Sequence, residues 1–143
     1  MAVEWTEDLA IGVKVIDDQH KEIFRRVNGL LEACKAGKGR QAVGGMLDFL
    51  EDYVVEHFAA EENIQVHYDY PEYPAHKAMH VMFIRDVEKL KARLRDEGPT
   101  LMTVVETDRV VVDWLVKHIK KVDKELGNFL KTHGYKNTPG GLP

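Results

Sequence analysis

From His20 onward the apolar residues recur every three or four positions, at Ile23, Phe24, Val27, Leu30, Leu31 and Cys34. That spacing is the period of an amphipathic α-helix. Asp17-Asp18-Gln19 predicts its start, with Asp17 or Asp18 as cap, and Gly37 to Gly39 its end. A second stripe, Val43, Met46, Leu47, Leu50, Tyr53, Val54, His57, Phe58 and Glu61, predicts a helix over 41–67 despite Gly44 and Gly45. Tyr70-Pro71 and Pro74 then break the chain, because proline lacks an N–H and clashes inside a helix. A third helix over 75–96 carries His76, His80, Phe83, Val87, Leu90 and Leu94 before Gly98-Pro99. A fourth over 104–131 turns Val111, Leu115, His118, Val122 and Leu126 inward and stops by Gly134.

No alternating strand pattern occurs, and three short connections join four long amphipathic segments. The expected fold is therefore all-α, an antiparallel up-down four-helix bundle. Residues 1–16, with Trp5, Leu9, Ile11, Val13 and Val15, form an N-terminal arm packed across it. Residues 137–143 read as a disordered tail, so one domain spans 1–136.

Composition narrows the partners. The 143 residues have a formal net charge of −4 and no basic, aromatic-interleaved block, which argues against nucleic acid. Lys117, Lys120, Lys121 and Lys124 lie at helical spacing and read as a solvated face. The single cysteine, Cys34, reads as a small buried apolar residue and forms no internal disulfide. Neither a secretory signal nor a stretch of membrane-spanning length is present, so a cytoplasmic protein that does not insert into membranes is expected.

Seven histidines are the one compositional excess. Five of them, with two carboxylates, interrupt the apolar stripes: His20 on the first helix, His57 and Glu61 on the second, His76 and His80 on the third, His118 and Asp123 on the fourth. His57 with Glu61, and His76 with His80, are four residues apart, about 40° around the helix and one turn along it, so each pair can grip one site. His118 and Asp123 are five apart, about 140° on an ideal helix, and meet only through side-chain length or a widened turn. Any one of these histidines alone reads as an ordinary core residue. Burying all seven groups without a metal would cost several kcal/mol per uncompensated group, against a total stability of about 5 to 15 kcal/mol. His67 and His133 fall outside the stripes and read as surface residues, and Glu62 as solvent-facing.

Five imidazoles cannot divide evenly between two metals. With two bridging carboxylates and one solvent-derived bridge, an octahedral pair would be filled except for one position, on the metal with fewer histidines. Imidazole with carboxylate suits iron among redox-active metals, whereas structural zinc would be four-coordinate and closed.

The motifs Asp17-Asp18-Gln19-His20, His57-Phe58-Ala59-Ala60-Glu61-Glu62, His76-Lys77-Ala78-Met79-His80 and Trp114-Leu115-Val116-Lys117-His118 followed by Asp123, with Trp5 in the arm, resemble the hemerythrins over residues 4–133, and most closely the single-domain bacterial branch. The resemblance implies two iron ions, Fe2+ or Fe3+, with an oxo or hydroxo bridge. His76, His80 and His118 would hold one, His20 and His57 the other, and Glu61 and Asp123 would bridge them. It implies reversible dioxygen binding for transport, storage or delivery, the oxygen held as hydroperoxide at the two-histidine iron. The pocket would be apolar and lined by Ile23, Phe58, Trp114, Leu115 and Ile119. A monomeric carrier, not an enzyme, with an oxygen-consuming enzyme as recipient, is the expected setting. Two rival readings stay open: a di-iron enzyme, disfavoured because no Glu-x-x-His pair occurs, and a sensor module responding to dioxygen or nitric oxide.

Overall fold

The computed structural model describes residues 4–137, and its helices follow the apolar stripes. Helix α1 is Lys14–Lys35, α2 covers 39–67, α3 is Tyr73–Glu97 and α4 covers 101–132. Successive helices run antiparallel, joined by turns at 36–38, 68–72 and 98–100. Gly37 and Gly98 take positive φ of 74° and 79° in two of these turns, a conformation that costs glycine nothing. No strand occurs among the described residues.

All four helices begin earlier than their stripes predict, three of them for evident local reasons. The N-cap of α1 is Val13, in extended backbone, and its carbonyl accepts from Asp17 N–H. Asp17 is no cap of its own helix; its buried carboxylate turns back and accepts from Ile11 N–H at 2.8 Å and Gly12 N–H at 3.2 Å, tying down the arm. Asp18 pairs with Lys14 at the surface. Helix α3 starts at Tyr73 with Pro74 inside the first turn, where a missing N–H would have had no partner. Helix α4 starts at Leu101 because Thr100 and Thr103 cap each other reciprocally, threonine standing where such boxes usually carry Glu or Gln.

Two helices carry wide turns. Helix α2 passes through a π-helical segment at Leu50–Val54, and α4 through two, at Arg109–Asp113 and His118–Asp123. Each adds one residue to a turn and rotates everything beyond it.

The apolar core is divided. One cluster, including Val27, Leu30, Leu47, Leu50, Phe83, Val87 and Val111, fills one end of the bundle. Another, Ile11, Val13, Ile16, Ile64, Tyr70, Leu126 and Leu130, fills the other and incorporates the arm. Leu9 of the arm packs with Phe24 and Ile119. Lys124 is not part of a solvated face: its ammonium donates to Ala10 O at 2.7 Å and to Asp8 O at 3.2 Å. Asn137 bonds to Lys14 N and Gly12 O, so it is docked rather than disordered. The remainder of the expected tail, 138–143, lies outside the described residues. Cys34 is only half-buried, its thiol 3.5 Å from Asp108. No described helix is long and apolar enough to cross a membrane.

Candidate metal centre

Between the two apolar clusters lies a polar layer to which every helix contributes. His20 from α1, His57 and Glu61 from α2, His76 and His80 from α3, and His118 and Asp123 from α4 are all buried, with Glu61 and Asp123 at 0 % exposure. The structure brings together all seven residues that the stripes single out. His67 and His133 lie exposed, away from the layer.

The seven form two overlapping groups. In Glu61, His76, His80, His118 and Asp123 the donor atoms all lie within 4.8 Å of one another; the same holds for His20, His57, Glu61 and Asp123. Both carboxylates belong to both groups. The awkward five-residue step from His118 to Asp123 coincides with the π-helical segment, which brings Asp123 Oδ1 to 3.2 Å from His118 Nε2. A widened turn, not side-chain reach alone, closes the set.

Imidazole Nε2 atoms face one another: His76 and His118 at 3.0 Å, His80 and His118 at 3.2 Å, His20 and His57 at 3.1 Å. Metal–nitrogen bonds of about 2.1 Å at right angles would set donor atoms about 3.0 Å apart, whereas a tetrahedral site would set them about 3.4 Å apart. The observed separations fit the octahedral case. Both oxygens of Glu61 and both of Asp123 are buried without a hydrogen-bond partner, although imidazole nitrogens approach to 3.1–3.7 Å. Four orphaned carboxylate oxygens in one core are what a bridged cation pair would satisfy. The donor set therefore fits two octahedral metals.

Outer partners set the tautomers. Gln19 Oε1 accepts from His57 Nδ1–H at 2.7 Å, and Glu62 Oε2 from His80 Nδ1–H at 2.9 Å, leaving each Nε2 lone pair free to point inward. The Gln65 amide nitrogen stands 3.0 Å from His76 Nδ1 while its oxygen is unpartnered; a half-turn of the amide puts the acceptor on Nδ1–H and completes the pattern. Glu62 is thus not simply solvent-facing; it grips His80 from its rim. Gln65 had a readable signal, an amide four residues beyond Glu61 on the same stripe, and it is fully buried. Gln19 and Glu62 had none, since both lie off the apolar stripes.

The layer is electrostatically tense without metal. Burial opposes a charge on His20, but the carboxylates of Asp123 and Glu61, 3.1 and 3.7 Å from its Nε2, raise its pKa to about 9. Burial depresses His57 to about 4. Burial also penalises the charged carboxylates, yet the imidazoles around them win and hold Glu61 at about 2 and Asp123 well below the usual range. Both carboxylates are ionised and ready to ligate, and His20 must shed a proton to do so.

The five expected pocket residues divide into two roles. Ile23, Leu115 and Ile119 line a narrow apolar cavity of about 10 Å3, with Phe24, Val27, Val111, Val112 and Val116, large enough for one water-sized guest. Phe58 and Trp114 do not line it. Phe58 lies face to face on His80, ring centroids 3.8 Å apart, and half-buried Trp114 stacks on His118 at 4.3 Å. Flat aromatic faces against two imidazoles hold those rings, and Trp114 also lines an open cleft with His76 and His118.

Comparison with known proteins follows the same geometry. Residues 11–130 match the family model described as the hemerythrin HHE cation binding domain. A bacteriohemerythrin of Methylococcus capsulatus is 39% identical over 86% of this chain and 92% of its own length. A bacteriohemerythrin of Stenotrophomonas maltophilia is 34% identical over 90% and 82%, and a myohemerythrin of Sipunculus nudus 30% identical over 83% and 86%. The crystal structure of a wild-type hemerythrin superposes with a TM-score of 0.77 at 37% identity, covering 90% of this chain and 97% of that one.

Proposed function

The chain belongs to the hemerythrin family, and from that premise we propose that it binds dioxygen reversibly at two non-haem irons, as a carrier rather than an enzyme. His76, His80 and His118 would hold one iron, His20 and His57 the other, with Glu61 and Asp123 shared. The observation that carries this reading is the pair of overlapping donor groups with both carboxylates in common. When bound, the iron pair supplies two electrons and one open coordination position, and recovers both on release.

The protein's own residues do the rest. Glu61 and Asp123, ionised in the core, offset the positive charge of the metals and fix their separation. An open coordination position would fall on the His20 and His57 side, which has one imidazole fewer. Ile23, Leu115 and Ile119 stand one helical turn or less from His20 and His118 and keep bulk water and protons away from it, which slows irreversible oxidation. Five imidazoles against two carboxylates is the reverse of the carboxylate-rich set of ferritin-like oxidases, and favours carriage over oxidation. A monomer in the cytoplasm delivering to an oxygen-consuming enzyme is the setting this reading takes.

Iron content and visible spectra of reduced, aerated and degassed protein test it. Two irons per chain and a visible band that appears with air and fades on degassing are expected. Iron near zero, or an irreversible change on first exposure to air, would overturn the reading.

A further inference from the structure

The five imidazoles of the centre are not held alike. His57 donates to the neutral amide of Gln19, His76 lies against the neutral amide of Gln65, and the Nδ1 of His20 is buried with no partner. Among the described residues, only His80 has a carboxylate behind its Nδ1, Glu62 at 2.9 Å. A carboxylate behind an imidazole draws on the Nδ1 proton and makes the opposite nitrogen a stronger donor, which favours the higher oxidation state of whatever that nitrogen holds. The ring is also locked in the orientation that this needs. His80 lies on Phe58 with the planes 3° apart, and Phe58 is packed edge-on by Phe83 and Trp114. Nδ1 therefore stays on Glu62 while Nε2 stays 3.2 Å from Glu61 Oε1.

We propose that Glu62 is a positioning residue that makes the two metals electronically unequal, lowering the reduction potential of the three-histidine metal through the His80 imidazole. The inference rests on the di-iron reading above. The three-histidine metal is then the first to give up an electron and the last to regain one, and a single rim carboxylate sets how readily the oxidised centre is brought back to the oxygen-binding state. Gln19, in the corresponding place behind His57, leaves the other metal without that bias.

Spectroelectrochemical titration of the iron-loaded protein tests the assignment, with iron content measured on every sample. Glu62→Gln keeps an acceptor behind His80 but removes the charge; it should favour reduction of the centre about tenfold, a rise of about 59 mV for a one-electron step. Glu62→Asp should recover part of the wild-type potential. Gln19→Glu places a carboxylate behind His57 and should shift the centre in the opposite sense. An unchanged potential in fully iron-loaded Glu62→Gln overturns the proposal. Should that variant lose iron, Gln19→Glu decides, and an unshifted potential there overturns it equally. Wild-type protein with no iron would instead overturn the di-iron reading itself, and is recognised by the iron assay before any potential is measured.

Discussion

Gly127→Ala sets two ordinary rules against each other at a point where the geometry is unambiguous. In the interior of a helix, alanine for glycine stabilises by about 1 kcal/mol. At Gly127, however, a Cβ would stand 2.4 Å from Ile11 O and 2.7 Å from Ile11 Cβ. Relief requires a displacement of roughly 1 Å, since non-bonded carbons settle at about 3.5–4.0 Å. The obstacle is backbone rather than a flexible side-chain end, and that backbone is pinned on both sides, Ile11 N–H by Asp17 and Ala10 O by Lys124. Overpacking a fitted contact costs about 1–3 kcal/mol, and releasing a hydrogen bond to a charged group about 1.5–3 kcal/mol. After the propensity gain of about 1 kcal/mol, these two costs together leave a net loss of about 1.5–5 kcal/mol. Urea denaturation of iron-loaded wild type and variant should show a lower midpoint for the variant with an unchanged slope. Hydrogen exchange at the Ile11 and Gly12 amides should be faster, since the arm yields before α4 does. A midpoint equal to or above wild type would show that the arm does not bear on Gly127, and the account of how it is anchored would fail.

Two further predictions concern the centre. In the metal-free protein, His57 depressed to about 4 contributes stability that is present above about pH 6.5 and lost as pH falls through 4, about 3 kcal/mol in all. His20 raised to about 9 contributes a similar amount that is complete below pH 6.5 and lost as pH rises through 9. Apo-protein stability should therefore peak near pH 6.5, and a flat urea midpoint between pH 5 and 9 would contradict the charges assigned to these histidines. Loading with iron deprotonates His20, so the alkaline fall should vanish in the holoprotein. Leu115→Ala should cost about 2–5 kcal/mol in urea denaturation and speed loss of the oxygen-dependent band in air, because it opens the apolar cavity. A band decaying at the wild-type rate would show that Leu115 shields nothing.

The seven candidate ligands were legible because each breaks an apolar stripe, and a stripe is the part of a helix that a sequence reports most clearly. Two i, i+4 pairs even gave their relative directions. Asp123 was legible as a member but not as a fit, since the turn that delivers it is wider than the ideal helix used to read the spacing. The features that were missed depend on a partner from another element. Glu62, one residue past Glu61, is rotated about 100° toward the surface, and only the arrival of His80 on α3 turns a rim carboxylate into a holder of the centre. Asp17 reads as a cap from its position, but the arm offers it two N–H groups that the helix does not. That Phe58 and Trp114 stack on imidazoles depends on side-chain orientation, which spacing does not encode.

The wide turn at His118–Asp123 bears on anyone who would copy this centre into an artificial scaffold. A designer tracing straight, idealised helices would set the seven side chains by a constant rotation per residue, and Asp123 would miss the second metal by most of a quarter-turn. With the present spacing, the same straight helix would also turn Leu126 and Leu130 away from the core beyond it. The blueprint must therefore include the irregularity itself, a segment of backbone that standard libraries treat as a flaw to be smoothed away.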